Sequence, residues 1–88
     1  MRRDRLGQII DVLRQASLHR GCKYTHLMLY ANVAYDAIHA ILELLEEKGM
    51  IRIENVKRGS CIFIEPKGGE WLRTINGLLR QIDYEIDS

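Results

Sequence analysis

Apolar side chains at Leu6, Ile9, Ile10, Leu13 and Ala16 recur at helical spacing, with Arg3, Gln8, Asp11 and Arg14 placed to face away. That periodicity predicts an amphipathic helix over residues 4–18, ending before His19-Arg20-Gly21. A shorter segment over 24–30 and a longer one over 34–48 follow, the latter striped by Ile38, Ile41, Leu42 and Leu45. Gly49 suits the left-handed position that closes such a helix. Only Ala31, Asn32 and Val33 separate the second and third segments, so the two helices must turn sharply against each other.

The pattern then changes. Met50-Ile51-Arg52-Ile53-Glu54 and Cys61-Ile62-Phe63-Ile64-Glu65 read as two strands joined by a loop of six residues, 55–60, which carries Lys57 and Arg58 at its tip. Pro66 suits the first turn of a helix, and a final helix is predicted over 70–85. In it Leu72, Ile75, Leu79, Ile82 and Ile86 are spaced 3, 4, 3, 4, a heptad seam that Trp71 and Leu78 widen. Two heptads fit a helix folded onto its own domain as well as one paired with a second copy. The width of the stripe leads us to expect a homodimer through Trp71, Leu72, Ile75, Leu79, Ile82 and Ile86.

Composition narrows the classes. Eighty-eight residues leave room for one small domain, and 47% hydrophobic with 28% charged residues is the make-up of a folded one. No apolar run approaches the roughly 18 residues that span a bilayer, and no secretory h-region follows the N-terminus. The expected location is the cytoplasm, at the nucleoid if the chain binds DNA. The formal charge is only +1, so any affinity for nucleic acid must come from how charge is distributed. Residues 1–26 hold six Lys and Arg against two Asp, and residues 51–69 hold four against two Glu. Residues 27–50 hold four acidic residues and one Lys.

Helix, helix, tight turn, helix, hairpin, helix is the order of a winged helix-turn-helix, an α+β but mainly α fold: three helices, a β-hairpin wing and a C-terminal dimerisation helix. The chain is expected to be one domain over 1–88, with a winged-helix core over 4–67 and the C-terminal helix within 68–86. Two stretches also resemble the small winged-helix DNA-binding regulators of archaea and archaeal viruses. One is Gly21-Cys22-Lys23-Tyr24-Thr25-His26-Leu27-Met28-Leu29-Tyr30-Ala31-Asn32-Val33-Ala34-Tyr35. The other is Leu42-Glu43-Leu44-Leu45-Glu46-Glu47-Lys48-Gly49-Met50-Ile51, with Lys67-Gly68 matching a Lys-Gly that precedes the family's last helix. The resemblance covers residues 6–82 and implies a non-enzymatic protein that binds double-stranded DNA as a transcriptional regulator or architectural protein and dimerises through its last helix.

It implies roles residue by residue. Lys23, Tyr24 and Thr25 open the second helix, where backbone N–H groups and the helix dipole favour a phosphate, although Thr25 would serve equally as a cap or core contact. Asn32 matches the family's turn Asn and suits a local backbone role or a DNA contact. Tyr35, Asp36 and His39, with Ala40 and Glu43 beside them, would face the major groove, and Lys57 and Arg58 would meet the backbone or minor groove. The chain departs from the family where it matters most: Ala34 replaces the capping Ser, and the third helix is acidic. Arg2, Arg3, Arg5 and the wing cations would have to hold it against phosphates. The alternative is a protein-interaction module that uses the acidic third helix.

Further chemistry is sparse. His19, Cys22, His26 and Cys61 include residue types that bind zinc, but no Cys-x-x-Cys pair accompanies them, and we expect no metal and no cofactor. In a winged helix the segment before the second helix runs beside the returning wing strand, so a Cys22–Cys61 disulfide is conceivable in an organism that keeps intracellular disulfides. No small-molecule ligand is implied.

Overall fold

The computed structural model describes residues 4–57 and 59–82. Its first helix, α1, spans Arg5–Leu18 and begins where Asp4 Oδ1 accepts a hydrogen bond from the Gly7 N–H at 2.8 Å. A two-residue strand β1 (Cys22–Lys23) leads into α2 (Tyr24–Ala31) and, after a three-residue turn, α3 (Tyr35–Glu47). Strands β2 (Ile51–Val56) and β3 (Gly59–Ile64) form the wing, and α4 (Pro66–Gln81) is the last element among the described residues. The sheet is antiparallel in the order β1-β3-β2.

Left-handed residues end α2 and α3. Asn32 takes φ 54° as the C-cap of α2, and the Val33 N–H reaches back to the Met28 carbonyl at 3.0 Å. This is the conformation a short polar side chain tolerates best, and it turns the chain into α3. Gly49 takes φ 74° after α3, with its N–H on the Glu46 carbonyl and the Met50 N–H on that of Leu45. That pair of bonds is the Schellman arrangement, so the expected helix stop at Gly49 is met.

The core lies where α1, α2 and α3 converge on the inner face of the sheet. Leu13, Leu27, Ile38, Ile41, Leu45 and Ile62 are fully buried there. The stripe expected on α3 is buried throughout, and its opposite face is exposed.

Several expectations need correction. Asp11 does not face solvent; it is 2% exposed, because α2, α4 and β3 cover α1 on more than one side and Val12 beside it is fully buried as well. Leu6, by contrast, stays 47% exposed. The wing loop is far shorter than six residues: Asn55 pairs with Ser60 and Val56 with Gly59, which leaves two residues at the tip. Ser60 Oγ donates to Asn55 Oδ1 at 2.8 Å, so residues that read as turn formers are ladder partners instead.

The last helix begins at Pro66 rather than residue 70, and Gly68 and Gly69 lie inside it. Gly68 is there for space, since a Cβ would collide with the Met50 carbonyl oxygen, which also accepts the Glu65 N–H at 2.9 Å. The Cys22–Cys61 disulfide weighed above does not form. Cys22 pairs with Ile62 while Lys23 pairs with Cys61, and this one-residue offset sends the two side chains to opposite faces of the sheet. Both thiols are free, and burial pushes that of Cys22 above its ordinary value.

Candidate nucleic-acid interface

The surface that α3 turns away from the core is built by its own periodicity. With Ile38, Ile41, Leu42 and Leu45 inside, Tyr35, Asp36, His39, Ala40 and Glu43 are left outside, and all five are exposed. Helix α3 contains no Lys or Arg, and it continues the exposed acidic surface with Glu46 and Glu47.

The rings on this surface are not independent. Tyr35 and His39, one turn apart, meet edge to face with centroids 4.4 Å apart. Tyr24, the first residue of α2, approaches the same imidazole from the neighbouring helix at 5.2 Å. Tyr24 is half-buried and packs against the core, and its ring links the two helices of the turn motif. A second ring group sits at the far end of α2, where His19 stacks on Tyr30 at 4.0 Å and His26 lies 6.4 Å from the same ring. Among the described residues no three His, Cys, Asp or Glu side chains converge as metal ligands would.

Other predicted positions fall as follows. Lys23 occupies the N-cap of α2 without a side-chain capping bond, and Thr25 is exposed in the first turn. Asn32 serves as the left-handed cap described above, the local role among its two expected ones. Lys57 is exposed at the wing tip; Arg58, Arg2, Arg3 and Ile86 lie outside the described residues. Arg52 is a cation of the wing with partners of its own. It pairs with Glu54 and with Glu65, the latter at 2.9 Å, and its guanidinium lies over the Phe63 ring. The neighbours of Arg52 already neutralise it, and the pairing follows from strand register, which sequence periodicity alone does not reveal.

A hairpin that returns beside a helix-turn-helix, with α3 exposed on one side and α4 packed across α1, matches the family model described as winged helix-turn-helix over residues 2–82. The chain belongs to the winged helix-turn-helix family. Among solved structures it is similar to a MarR-family transcriptional regulator from Silicibacter pomeroyi, with TM-score 0.78 and 21% identity over 85% of this chain and 52% of that one. It is also similar to a DNA-binding protein from Sulfolobus solfataricus, with TM-score 0.75 and 24% identity over 91% of this chain and 81% of the other. A third winged-helix relative in structure is the transcriptional regulator BldR from Sulfolobus solfataricus, with TM-score 0.74 and 26% identity over 85% and 55% of the two chains. This chain thus spans about half the length of the MarR-family structure it matches. No curated protein sequence matches it. No helix among the described residues is long and apolar enough to cross a membrane.

The C-terminal seam is divided. Leu72 is buried and Trp71, Ile75 and Leu79 pack against the domain's own core, whereas Leu78 and Ile82 are 53% and 71% exposed. The heptad therefore serves two directions, with Leu72 committed inward.

Proposed function

We propose that this winged helix-turn-helix protein binds double-stranded DNA as a transcriptional regulator or architectural protein. The observation that carries the reading is the division of α3 into a buried apolar stripe and an exposed polar face, with a β2–β3 wing joined by a two-residue tip. In this reading α3 enters the major groove with Tyr35, Asp36 and His39 towards the bases. The start of α2 at Lys23 and Thr25 meets phosphates, and Lys57 with Arg58 reaches the backbone or minor groove. The chain's likeness to the DNA-binding protein and the transcriptional regulators described above supports it. No catalytic role is part of the proposal.

The acidic third helix sets a condition on this account. Carboxylates in a groove lined by phosphates are unfavourable unless cations elsewhere hold the duplex, so the wing and the N-terminal arginines supply most of the affinity. Carboxylates that do reach base edges can accept from amino groups, which turns the cost into selectivity.

We further propose a homodimer that covers Leu78 on α4 and Ile82 at its C-cap. Two third helices would then address half-sites about one helical turn, roughly 34 Å, apart. The test compares the full chain with a Lys57→Ala/Arg58→Ala variant on one duplex. The wing variant is expected to bind more weakly on every sequence and to show a flatter dependence on salt; equal affinity and equal slope would refute the wing's role. A second reading, a module that binds a protein partner, is favoured by one feature, the run of exposed Glu43, Leu44, Glu46 and Glu47 on α3.

A further inference from the structure

We propose that Tyr24, Tyr35 and His39 form one base-reading unit spanning two helices, in which His39 reads a guanine edge and Tyr24 is the positioning residue that fixes its ring. The inference rests on the DNA-binding reading above and assigns that site its base preference.

The argument begins with what α3 lacks. Guanine presents two acceptors in the major groove, N7 and O6, and needs a donor, most often Arg or Lys. Helix α3 has neither, and carboxylates such as its exposed Asp36 and Glu43 accept hydrogen bonds but have none to donate. The donors it can offer to a base are the His39 imidazole, which carries at least one N–H in either charge state, and the Tyr35 hydroxyl. Any guanine read by this helix is therefore read through the aromatic group. Asp36 and Glu43, three residues before and four after His39 on the same face, are suited to the amino groups of cytosine or adenine at neighbouring positions.

The second step concerns the ring's freedom. An exposed histidine on a helix samples several orientations and loses that freedom on binding, which weakens any contact it makes. Here Tyr35 closes one side of His39 at 4.4 Å and Tyr24 approaches from α2 at 5.2 Å. Tyr24 is anchored in turn by its packing on the core, so the imidazole is held by a residue outside the recognition helix. Base preference at this position depends on a side chain that touches no base.

The test is selection of bound duplexes from a randomised pool by the full chain and by His39→Ala, Tyr24→Leu and Tyr24→Phe, followed by competition titration at two salt concentrations. Leu keeps apolar bulk against the core, and Phe keeps the ring. The parent is expected to select guanine at one position of each half-site. His39→Ala should lose about tenfold of that discrimination. Tyr24→Leu should lose a comparable share with the parent's salt slope, and Tyr24→Phe should retain the preference. A cooperatively melting Tyr24→Leu that keeps the parent's guanine preference overturns the role of Tyr24; should that variant fail to melt cooperatively, Tyr24→Met takes its place, and His39→Ala, at an exposed position, decides the guanine contact. Salt-sensitive binding with the same guanine preference in parent and His39→Ala, or with no guanine preference in the parent, overturns this inference and leaves the proposed function standing. No salt-sensitive binding by the parent overturns both.

Discussion

Arg52 lies over the ring of its cross-strand partner Phe63, 4.4 Å from the centroid, on the outer face of the sheet. Glu54 and Glu65 hold the guanidinium from either side, and Phe63 itself closes over Gly21, where a Cβ would meet the ring at 3.0 Å. The stack joins β2 to β3 and gives Arg52 a structural task. Arg52→Ala is therefore expected to cost on the order of 1 kcal/mol, as exposed cation–π contacts and ion pairs do. It should leave the salt slope of DNA binding unchanged. Denaturant unfolding and duplex titration read the two effects separately, and a flatter slope would assign Arg52 to the interface after all.

Two glycines in α4 should respond oppositely to alanine. At Gly68 a methyl group meets the Met50 carbonyl, backbone that cannot turn aside, and overpacking of this kind costs about 1–3 kcal/mol. At Gly77 nothing lies within 4 Å of the same methyl, and alanine gains about 0.5–1 kcal/mol of helix preference. Thermal melts of Gly68→Ala and Gly77→Ala should move down and up respectively; parallel shifts would contradict the packing described here.

If Leu78 and Ile82 are covered by a second copy, sedimentation of the parent at micromolar concentration gives a dimer mass. Leu78→Glu/Ile82→Glu gives a monomer that still melts cooperatively, since neither side chain is part of the buried core. A monomeric parent would remove the dimer from the account, and with it the paired half-sites.

Burial raises the Cys22 thiol above its ordinary value, so the folded protein keeps a proton that the unfolded chain sheds. Below the ordinary thiol value both states hold the proton and the contribution is fully present. As pH rises through that value towards the folded one, stability falls. The denaturation midpoint of the parent should drop over this alkaline range more than that of Cys22→Ala, measured side by side. Equal drops would mean that Cys22 is not the group responsible.

Much of this fold was legible from local pattern. The spans of α1, α2 and α3 follow from apolar periodicity, and Gly49 marks the end of α3 because a left-handed residue is needed there. What escaped was set by contacts between elements. A two-residue strand such as β1 has no periodicity to read, and Asn55, Gly59 and Ser60 look like loop although register makes them ladder. Gly68 and Gly69 look like a break before α4, yet Gly68 is required inside it by the nearness of Met50. At the candidate interface the exposed residues of α3 could be named in advance from the helix period. The hold of Tyr24 on His39 and the neutralisation of Arg52 could not, since each joins residues from separate elements.

The central claim is that this acidic-helixed winged helix-turn-helix binds duplex DNA through cations on its wing and N-terminal segment. The most direct measurement is titration of the full chain against a random-sequence duplex of about 30 base pairs at two salt concentrations, because phosphate contacts make log affinity fall linearly with log salt. Micromolar or tighter binding that weakens steeply with salt is the predicted result. No binding even at low salt would contradict the claim and favour a protein partner for the acidic face of α3.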